Sequence, residues 1–444
     1  MTLSIARSAR AEFSTSRRDI VIAGCGLALA YLAVAPAIVT TSTSAGERGQ
    51  HPPAIRPSPW RFSTFPIVAW WGPPGTASRG DFENYRDAGF TLHATNPDQG
   101  FERALTHVEA VGLKSLVFRQ HQGFVLDVLR SPHFPTDREV VVGWIVADEP
   151  SGEREVAGAV EGVRLLMEHD PSRWAFFNLL SPHTQGDPPT EAIIGAAVRA
   201  GMPVVSYDTY AIMRDGRDHT HLFYGSLDRV RRASLALGVP FWAFALTIKH
   251  AGYRRPSESD LRWQHYSNLA YGARGLWYFT YWGPTAWPGW DTRAIVDPKD
   301  GSLTELYAWV KSLNRAILAM GPALLALKSV DVMHTRPPAG LPGWDPGRHW
   351  IADVKGQDVL VGFFEAMDGA AYALVVNKLH GMGKSARDTA DTIEIALSDR
   401  VKSVEAVNWL DGATGLLVPA GGKLTLRVAG GTGVLLRAET TAAD

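Results

Sequence analysis

An α/β fold, a (β/α)8 TIM barrel followed by a small antiparallel β-sandwich, is predicted by three features of the sequence. Short apolar runs alternate with polar loops and amphipathic stretches across residues 65–282. The fourth run, Val141-Val142-Gly143-Trp144-Ile145-Val146-Ala147, is apolar throughout, as in strands of a parallel sheet buried on both faces. Beyond residue 326 the pattern changes to short strands separated by turns.

The fourth run organises the chain, because it ends abruptly in Asp148-Glu149-Pro150. Pro150 cannot extend a strand ladder, so the strand stops at the acids. Burying an unpaired carboxylate is costly, so these acids should meet solvent or a partner. In a β/α barrel the C-terminal strand ends form the active face. The plainer reading of Glu149 is a strand-end acid that caps the next helix or pairs with an arginine.

The strands are expected at residues 66–72, 90–96, 113–119, 141–148, 174–180, 202–210, 240–248 and 275–282. Helices are expected at 81–89, at 153–169 with Val156, Val160, Val163, Leu166 and Met167 on one face, and at 258–271. A doubly wound open sheet is the main rival, but no glycine-rich phosphate loop follows the first strand. The trailing module shows a hairpin signal at Met367-Asp368-Gly369 between 359–364 and 371–377, then strands at 392–397, 401–409, 423–428 and 432–437. With little concentrated polar chemistry, it reads as a brace.

At the other end, Ser16-Arg17-Arg18 precedes an apolar run from Ile20 to Val39 and the small-residue stretch Thr43-Ser44-Ala45. This resembles a twin-arginine export signal, and if uncleaved it is just long enough to anchor the chain in a membrane. The expected division is 1–45 signal or anchor, 46–59 linker, 60–325 barrel and 326–444 sandwich. A formal charge of -1 argues against a general nucleic-acid binder. The single cysteine, Cys25, lies in the apolar leader, so no disulfide or thiolate site is expected downstream.

Strand-end polar residues would converge on one mouth: Asn96 and Asp98, Arg119 and Gln120, Asp148 and Glu149, Asn178, Asp208, Lys249 and His250, Tyr281 and Trp282. Acids, amides and aromatics together point to carbohydrate chemistry. Carboxylates supply acid, base or nucleophile, amides bind hydroxyls and aromatic faces stack on sugar rings. The loop Trp282-Gly283-Pro284-Thr285-Ala286-Trp287-Pro288-Gly289-Trp290-Asp291 is read as a stacking surface, while Trp70 and Trp71 stay open between mouth and barrel filling. The histidines lack metal-ligand spacing, Asp215 to His221 reads as a solvated loop, and no Gly-x-Ser-x-Gly elbow occurs. Neither metal nor organic cofactor is expected.

The strand ending Asp148-Glu149-Pro150 resembles that of uncharacterised barrel hydrolases related to β-galactosidase-type glycoside hydrolases. So does Arg255-Pro256-Ser257-Glu258-Ser259-Asp260-Leu261-Arg262-Trp263-Gln264 leading into Tyr271-Gly272-Ala273-Arg274-Gly275-Leu276-Trp277-Tyr278-Phe279. The stretches 372–377 and Gly433-Val434-Leu435-Leu436-Arg437 are similar to their trailing β-sandwiches. The resemblance implies glycoside hydrolysis, with Glu149 matching the general acid/base; together with the leader, the expectation is an exported glycoside hydrolase acting on a poly- or oligosaccharide.

Those families usually carry a glutamate nucleophile at the end of the seventh strand, and 241–250 contains no acid. Asp208 is the best replacement; Glu258 is a weaker one, because it begins a helix and favours that N-terminus. A second precedent keeps the acids adjacent: Asp148-Glu149 resembles the acid pair of substrate-assisted hexosaminidases, and Ser206-Tyr207-Asp208 the sixth-strand Tyr-Asp of chitinase-like barrels. There Asp148 or Asp208 would orient a substrate acetamido group. Successive strand residues face opposite ways, so Asp148 and Glu149 share a site only if the strand bends. The substrate-binding set is then Asn96, Asp98, Arg119, Asn178, Tyr207, His250, Tyr281 and Trp282. A non-catalytic glycan-binding protein on the same fold is the other reading. The sugar, its linkage, the stereochemical outcome and the oligomeric state stay open at this level.

Overall fold

The computed structural model describes residues 62–96, 100–118, 138–285, 288–408 and 410–441. The leader with Arg17, Arg18 and Cys25, and the site candidates Asp98, Arg119 and Gln120, lie outside the described residues. No helix among those described is long and apolar enough to cross a membrane.

Eight parallel strands form one sheet: β1 (Ile67–Ala69), β2 (Leu92–Thr95), β3 (Lys114–Phe118), β4 (Val141–Asp148), β5 (Trp174–Leu179), β6 (Val205–Tyr207), β7 (Phe241–Leu246) and β8 (Leu276–Phe279). They run β1-β8-β7-β6-β5-β4-β3-β2, so chain order is spatial order, as a barrel requires. Across the seam, Thr91 N donates to Ile67 O (2.9 Å) and Ile67 N donates to Thr91 Oγ1 (2.9 Å), joining β1 to the segment leading into β2. The helices are α1 (Arg79–Asp87), α2 (Phe101–Ala110), α3 (Gly152–His169), α4 (Thr190–Arg199), α5 (Thr220–Leu237), α6 (Glu258–Ala270) and α7 (Glu305–Ala326).

Local chemistry sets these elements. Capping boxes start α1 at Ser78/Asp81 and α6 at Ser257/Asp260, each satisfying backbone donors that a helix leaves open. Val156, Ala159, Val163 and Leu166 form the buried face of α3. The sixth strand is shorter than its apolar run predicts: Pro203 lacks an amide to pair, and the ladder ends at Tyr207. Aromatic side chains fill the barrel. Trp277 stacks on Phe244 (5.3 Å, 10°), Trp70 packs among Phe118, Phe244 and Trp277, and Phe62 meets Trp174 edge-on (4.5 Å). Gly275 leaves room for this packing, since a Cβ there would lie 2.4 Å from Trp242 Nε1.

The chain then enters two antiparallel sheets. One is β10 (Ile351–Lys355), β13 (Asp391–Leu397) and β16 (Lys423–Val428). The other runs β15 (Thr414–Leu417), β14 (Val401–Val407), β17 (Gly433–Thr440), β12 (Ala371–Asn377), β11 (Val359–Glu365) and β9 (Lys328–His334). Apolar side chains of both sheets, among them Ile351, Val361, Phe363, Ile393, Ile395 and Leu436, share a core. The turn at Gly369 (φ 82°) joins β11 and β12 as its sequence predicts. Strands β9, β10 and β15 were not anticipated: β9 directly follows a long helix, and β10 and β15 are only five and four residues long.

Barrel and sandwich meet along α6. A Cβ on Gly362 of β11 would lie 1.9 Å from Ala270 O, so only glycine lets the strand backbone approach the helix end. Gly362→Ala should therefore destabilise the protein by about 1–3 kcal/mol. The check is a lower denaturant midpoint with an unchanged slope.

Candidate functional site

The mouth is built where β4 stops being regular. Its pairing with β5 shifts between Ile145 and Asp148, so one extra residue is accommodated before the acids. Glu149 then takes φ 46°, a left-handed conformation uncommon for a non-glycine residue. The bend that the alternation of strand side chains demands is present. Its effect is to direct both Asp148 and Glu149 toward Asp208, just past the end of β6.

Asn178, buried near the end of β5, ties the acids together. Its Nδ2 donates to Asp208 Oδ1 (3.1 Å) and Asp148 Oδ1 (3.3 Å), while Ser206 Oγ donates to its Oδ1 (2.9 Å). Glu149 N donates to Asn178 O (2.9 Å), which fixes the bent backbone to the neighbouring strand. Behind Asp208, Thr209 Oγ1 donates to Asp208 O (2.8 Å) and also bonds Ser181, whose hydroxyl meets His183 Nδ1 (2.8 Å).

Among the described residues no cation offsets these carboxylates. Burial pushes the Glu149 carboxyl far above the usual carboxylate range, and the charges of Asp208 and Asp148 push it further. Asp148 is raised by burial and then by Asp208, against the Asn178 hydrogen bond. Burial also raises Asp208, against the hydrogen-bond donors that Glu149, Asn178 and Tyr210 turn toward it. Glu149 is thus the protonated member, and its carboxyl interacts directly with that of Asp208.

An aromatic wall surrounds the cluster. Tyr210 and Tyr253 are pushed up by burial and by the charges of Asp208 and Glu149, so both remain neutral phenols. Tyr210 is 5% exposed, and its Oη, turned toward Asp208, has no partner in hydrogen-bond geometry. The His250 ring lies 4.5 Å from Trp290 and 5.2 Å from Tyr253, and burial lowers its pKa to about 4. Phe279 and Trp71 complete the wall, Trp71 lying 5.7 Å from Phe279 and 6.2 Å from Trp290.

The predicted residues divide accordingly. Asp148, Glu149, Asn178, Asp208 and His250 come together. Tyr207 does not: Ser206 faces the site, so alternation turns Tyr207 outward, where it is buried beside Phe241. Tyr281 is also core, edge-on to Tyr85 (4.8 Å) and Phe90 (5.4 Å). Trp282 packs at Gly301, and Trp290 is the residue of the aromatic loop that meets His250. Asn96 lines a water-sized pocket with Trp71, Gly72 and His93. Glu258 pairs with Arg262 (3.0 Å) and accepts Ala386 N (3.2 Å), a helix-end role. Asp215 pairs with Arg217 and Asp218 accepts Thr220 N, as a polar surface loop would. Tyr210 and Tyr253 were missed, because Tyr210 hides in the apparent sixth strand and Tyr253 lies in a turn without a motif. Ala251 in that turn has φ 46°, so both positive-φ non-glycine residues of the described chain flank this one site.

The folded protein holds these carboxyl protons more tightly than the unfolded chain, whose carboxylates titrate near pH 4. Above that pH it binds more protons than the unfolded chain, so the cluster's contribution to stability falls as pH rises. Glu149→Gln should therefore be more stable than wild type at pH 8, by at least about 1.4 kcal/mol. The gain should shrink toward zero near pH 4, and denaturant melts across that range measure it.

No protein-family model matches the chain, and no curated protein matches its sequence. Solved structures do match its fold. A protein described as a glycoside hydrolase aligns at 10% identity over 86% of this chain and 93% of its own, with a TM-score of 0.55. A glycoside hydrolase family 5 protein from Bacteroides vulgatus aligns at 10% identity over 86% of this chain and 90% of its own, with a TM-score of 0.53. The barrel with its trailing β-domain is the architecture this chain shares with them.

Proposed function

We propose that the protein is a glycoside hydrolase in which Glu149 is the general acid. The observation that carries this is the gathering of Asp148, Glu149 and Asp208 around Asn178 beside an aromatic wall, where burial and its neighbours push the Glu149 carboxyl far above the usual carboxylate range. Glycosidic cleavage needs a proton for the leaving oxygen and stabilisation of an oxocarbenium-like transition state. Glu149 supplies the proton. Positive charge developing at the anomeric carbon is favoured by Asp148 and Asp208, which no described cation neutralises. Trp290 and Trp71 offer flat faces for a sugar ring, and the buried Tyr210 hydroxyl is turned toward Asp208. The solved structures of the same architecture are themselves glycoside hydrolases, which favours a poly- or oligosaccharide substrate.

The pairing of Glu149 with Asp208 favours one variant of this chemistry. Two carboxylates that attack and protonate from opposite sides stand about 5–5.5 Å apart for retention or about 6.5–9.5 Å for inversion. The hydrogen bond between Glu149 and Asp208 brings that pair closer than either gap, and β7, which ends at Leu246, is followed by Thr247-Ile248-Lys249-His250 without an acid. A nucleophile carried by the substrate, an acetamido group oriented by Asp148 or Asp208, fits that arrangement. In it Asp208 manages the proton of Glu149 rather than attacking carbon.

Glu149→Gln should lower turnover of unactivated glycosides by roughly 10²–10⁴-fold. Aryl glycosides whose leaving group needs no proton should lose far less. The substrate-carried nucleophile predicts cleavage of N-acetylhexosaminides and none of the same glycosides without the acetamido group. Tight binding of glycans by the wild type without product would instead identify a non-catalytic glycan-binding protein.

We also propose that the chain is exported through residues 16–45, the paired arginines acting as the address. Replacing Arg17 and Arg18 together by lysine should retain the protein in the cytoplasm, as fractionation would detect.

A further inference from the structure

We infer that the sandwich is a working part of the mouth: His380 holds Asp260, which positions the Arg254-bearing turn that presents His250 and Tyr253 to the carboxylates. The activity arm of this inference rests on the glycosidase reading; its structural arm does not.

Asp260 lies in the first turn of α6 with its side chain fully buried. Its Oδ2 accepts from Ser257 N (2.8 Å), Ser257 Oγ (2.8 Å) and Arg254 Nη1 (2.5 Å). Its Oδ1 accepts from Arg254 Nη2 (3.0 Å) and His380 Nδ1 (2.7 Å). Burial alone would raise this carboxyl, and the donors from His380 and Arg254 hold it well below the usual range instead. A buried carboxylate with that many donors tolerates little displacement of any one of them.

His380 comes from the loop between β12 and β13, 120 positions along the chain from Asp260. Its ring stacks on Trp263 (4.1 Å, 14°), which orients Nδ1 toward the carboxylate. The same loop is fastened to the start of α6 elsewhere: Ser257 Oγ donates to Gly381 O (2.7 Å) and Ser259 Oγ to Lys384 O (2.8 Å). The sandwich thus grips the helix end from which the β7–α6 connection departs.

On the other side of Asp260, Arg254 follows Tyr253 directly. Arg254 N donates to Ile212 O (3.0 Å), and Arg214 N donates to Gly252 O (2.8 Å). Those bonds join the β7–α6 connection to the β6–α5 connection that carries Tyr210, and Tyr253 and Tyr210 meet edge-on (5.4 Å). Within the turn Tyr253 N donates to His250 O (2.8 Å), and Ala251 is held at φ 46°. A left-handed alanine persists only where its surroundings over-determine it. The bidentate Arg254–Asp260 pair is a constraint of that kind, and His380 completes it.

His380→Ala tests the link without touching the site, and His380→Gln restores a donor. Hydrogen exchange is read on the full chain, at the amides of residues 250–254 and, as control, of β5. His380→Ala should speed exchange at 250–254 at least tenfold with β5 unchanged, and His380→Gln should recover most of the protection. On the preferred glycoside, His380→Ala and Tyr253→Phe should each raise KM severalfold, and the double variant should be no worse than the poorer single one. Unchanged exchange at 250–254 in folded His380→Ala overturns the inference, whatever the activity. Multiplicative KM effects in the double variant also overturn it. A wild type that cleaves no glycan defeats the hydrolase reading and leaves the exchange result to decide this one.

Discussion

The amide of Asn178 is the constraint on which the site depends. A single side chain, oriented by Ser206, donates to carboxylates from two different strands, and its backbone oxygen anchors the bent Glu149 peptide. Without it, Asp148 and Asp208 would lose the donor they share in a half-buried mouth. Its donors hold Asp148 and Asp208 nearer to ionisation, and their charges in turn keep the proton on Glu149. The site is an unequal sharing of protons imposed by geometry.

That geometry is secured by rigid packing on both sides. Below the mouth, Trp70, Phe244, Trp277, Trp242 and Phe62 fill the barrel so completely that Gly275 cannot carry a side chain. Beside it, α6 is clamped between the barrel wall and the sandwich, with Tyr271 at its end bonded to His334 (2.8 Å), and Arg231 of α5 donates to Ser329 (2.8 Å). Strain concentrates where this framework ends, at Glu149 and Ala251. Loops at the mouth of a rigid barrel commonly carry the chemistry while the strands position it. The trailing domain, which its composition marks as a brace, also reaches the barrel's β7–α6 connection through the bond of His380 to Asp260.

Much of the architecture was legible because it follows from periodicity. Apolar runs buried on both faces, helical stripes such as Val156, Val163 and Leu166, and Gly369 in a hairpin turn report local geometry directly. Asp148, Glu149, Asn178 and Asp208 were legible for a related reason: each ends or follows a strand, and barrel topology gathers those ends. Tyr207 and Tyr281 show where that logic fails. Near a strand end, which face a residue takes depends on a one-residue shift, and β6 ends three residues earlier than its apolar run.

Alternation of strand and helix, the change to antiparallel strands and the acids at strand ends are all written in the local sequence, because those properties depend on neighbours a few residues away. Long-range packing alone brings Asp148 and Glu149 into one site, sets Trp290 against His250 while Trp282 packs elsewhere, and carries His380 to Asp260 from 120 positions away. Those outcomes depend on a bulge, on the course of a loop and on the docking of a second domain. Each is set by packing between segments remote in the chain, which no local pattern encodes.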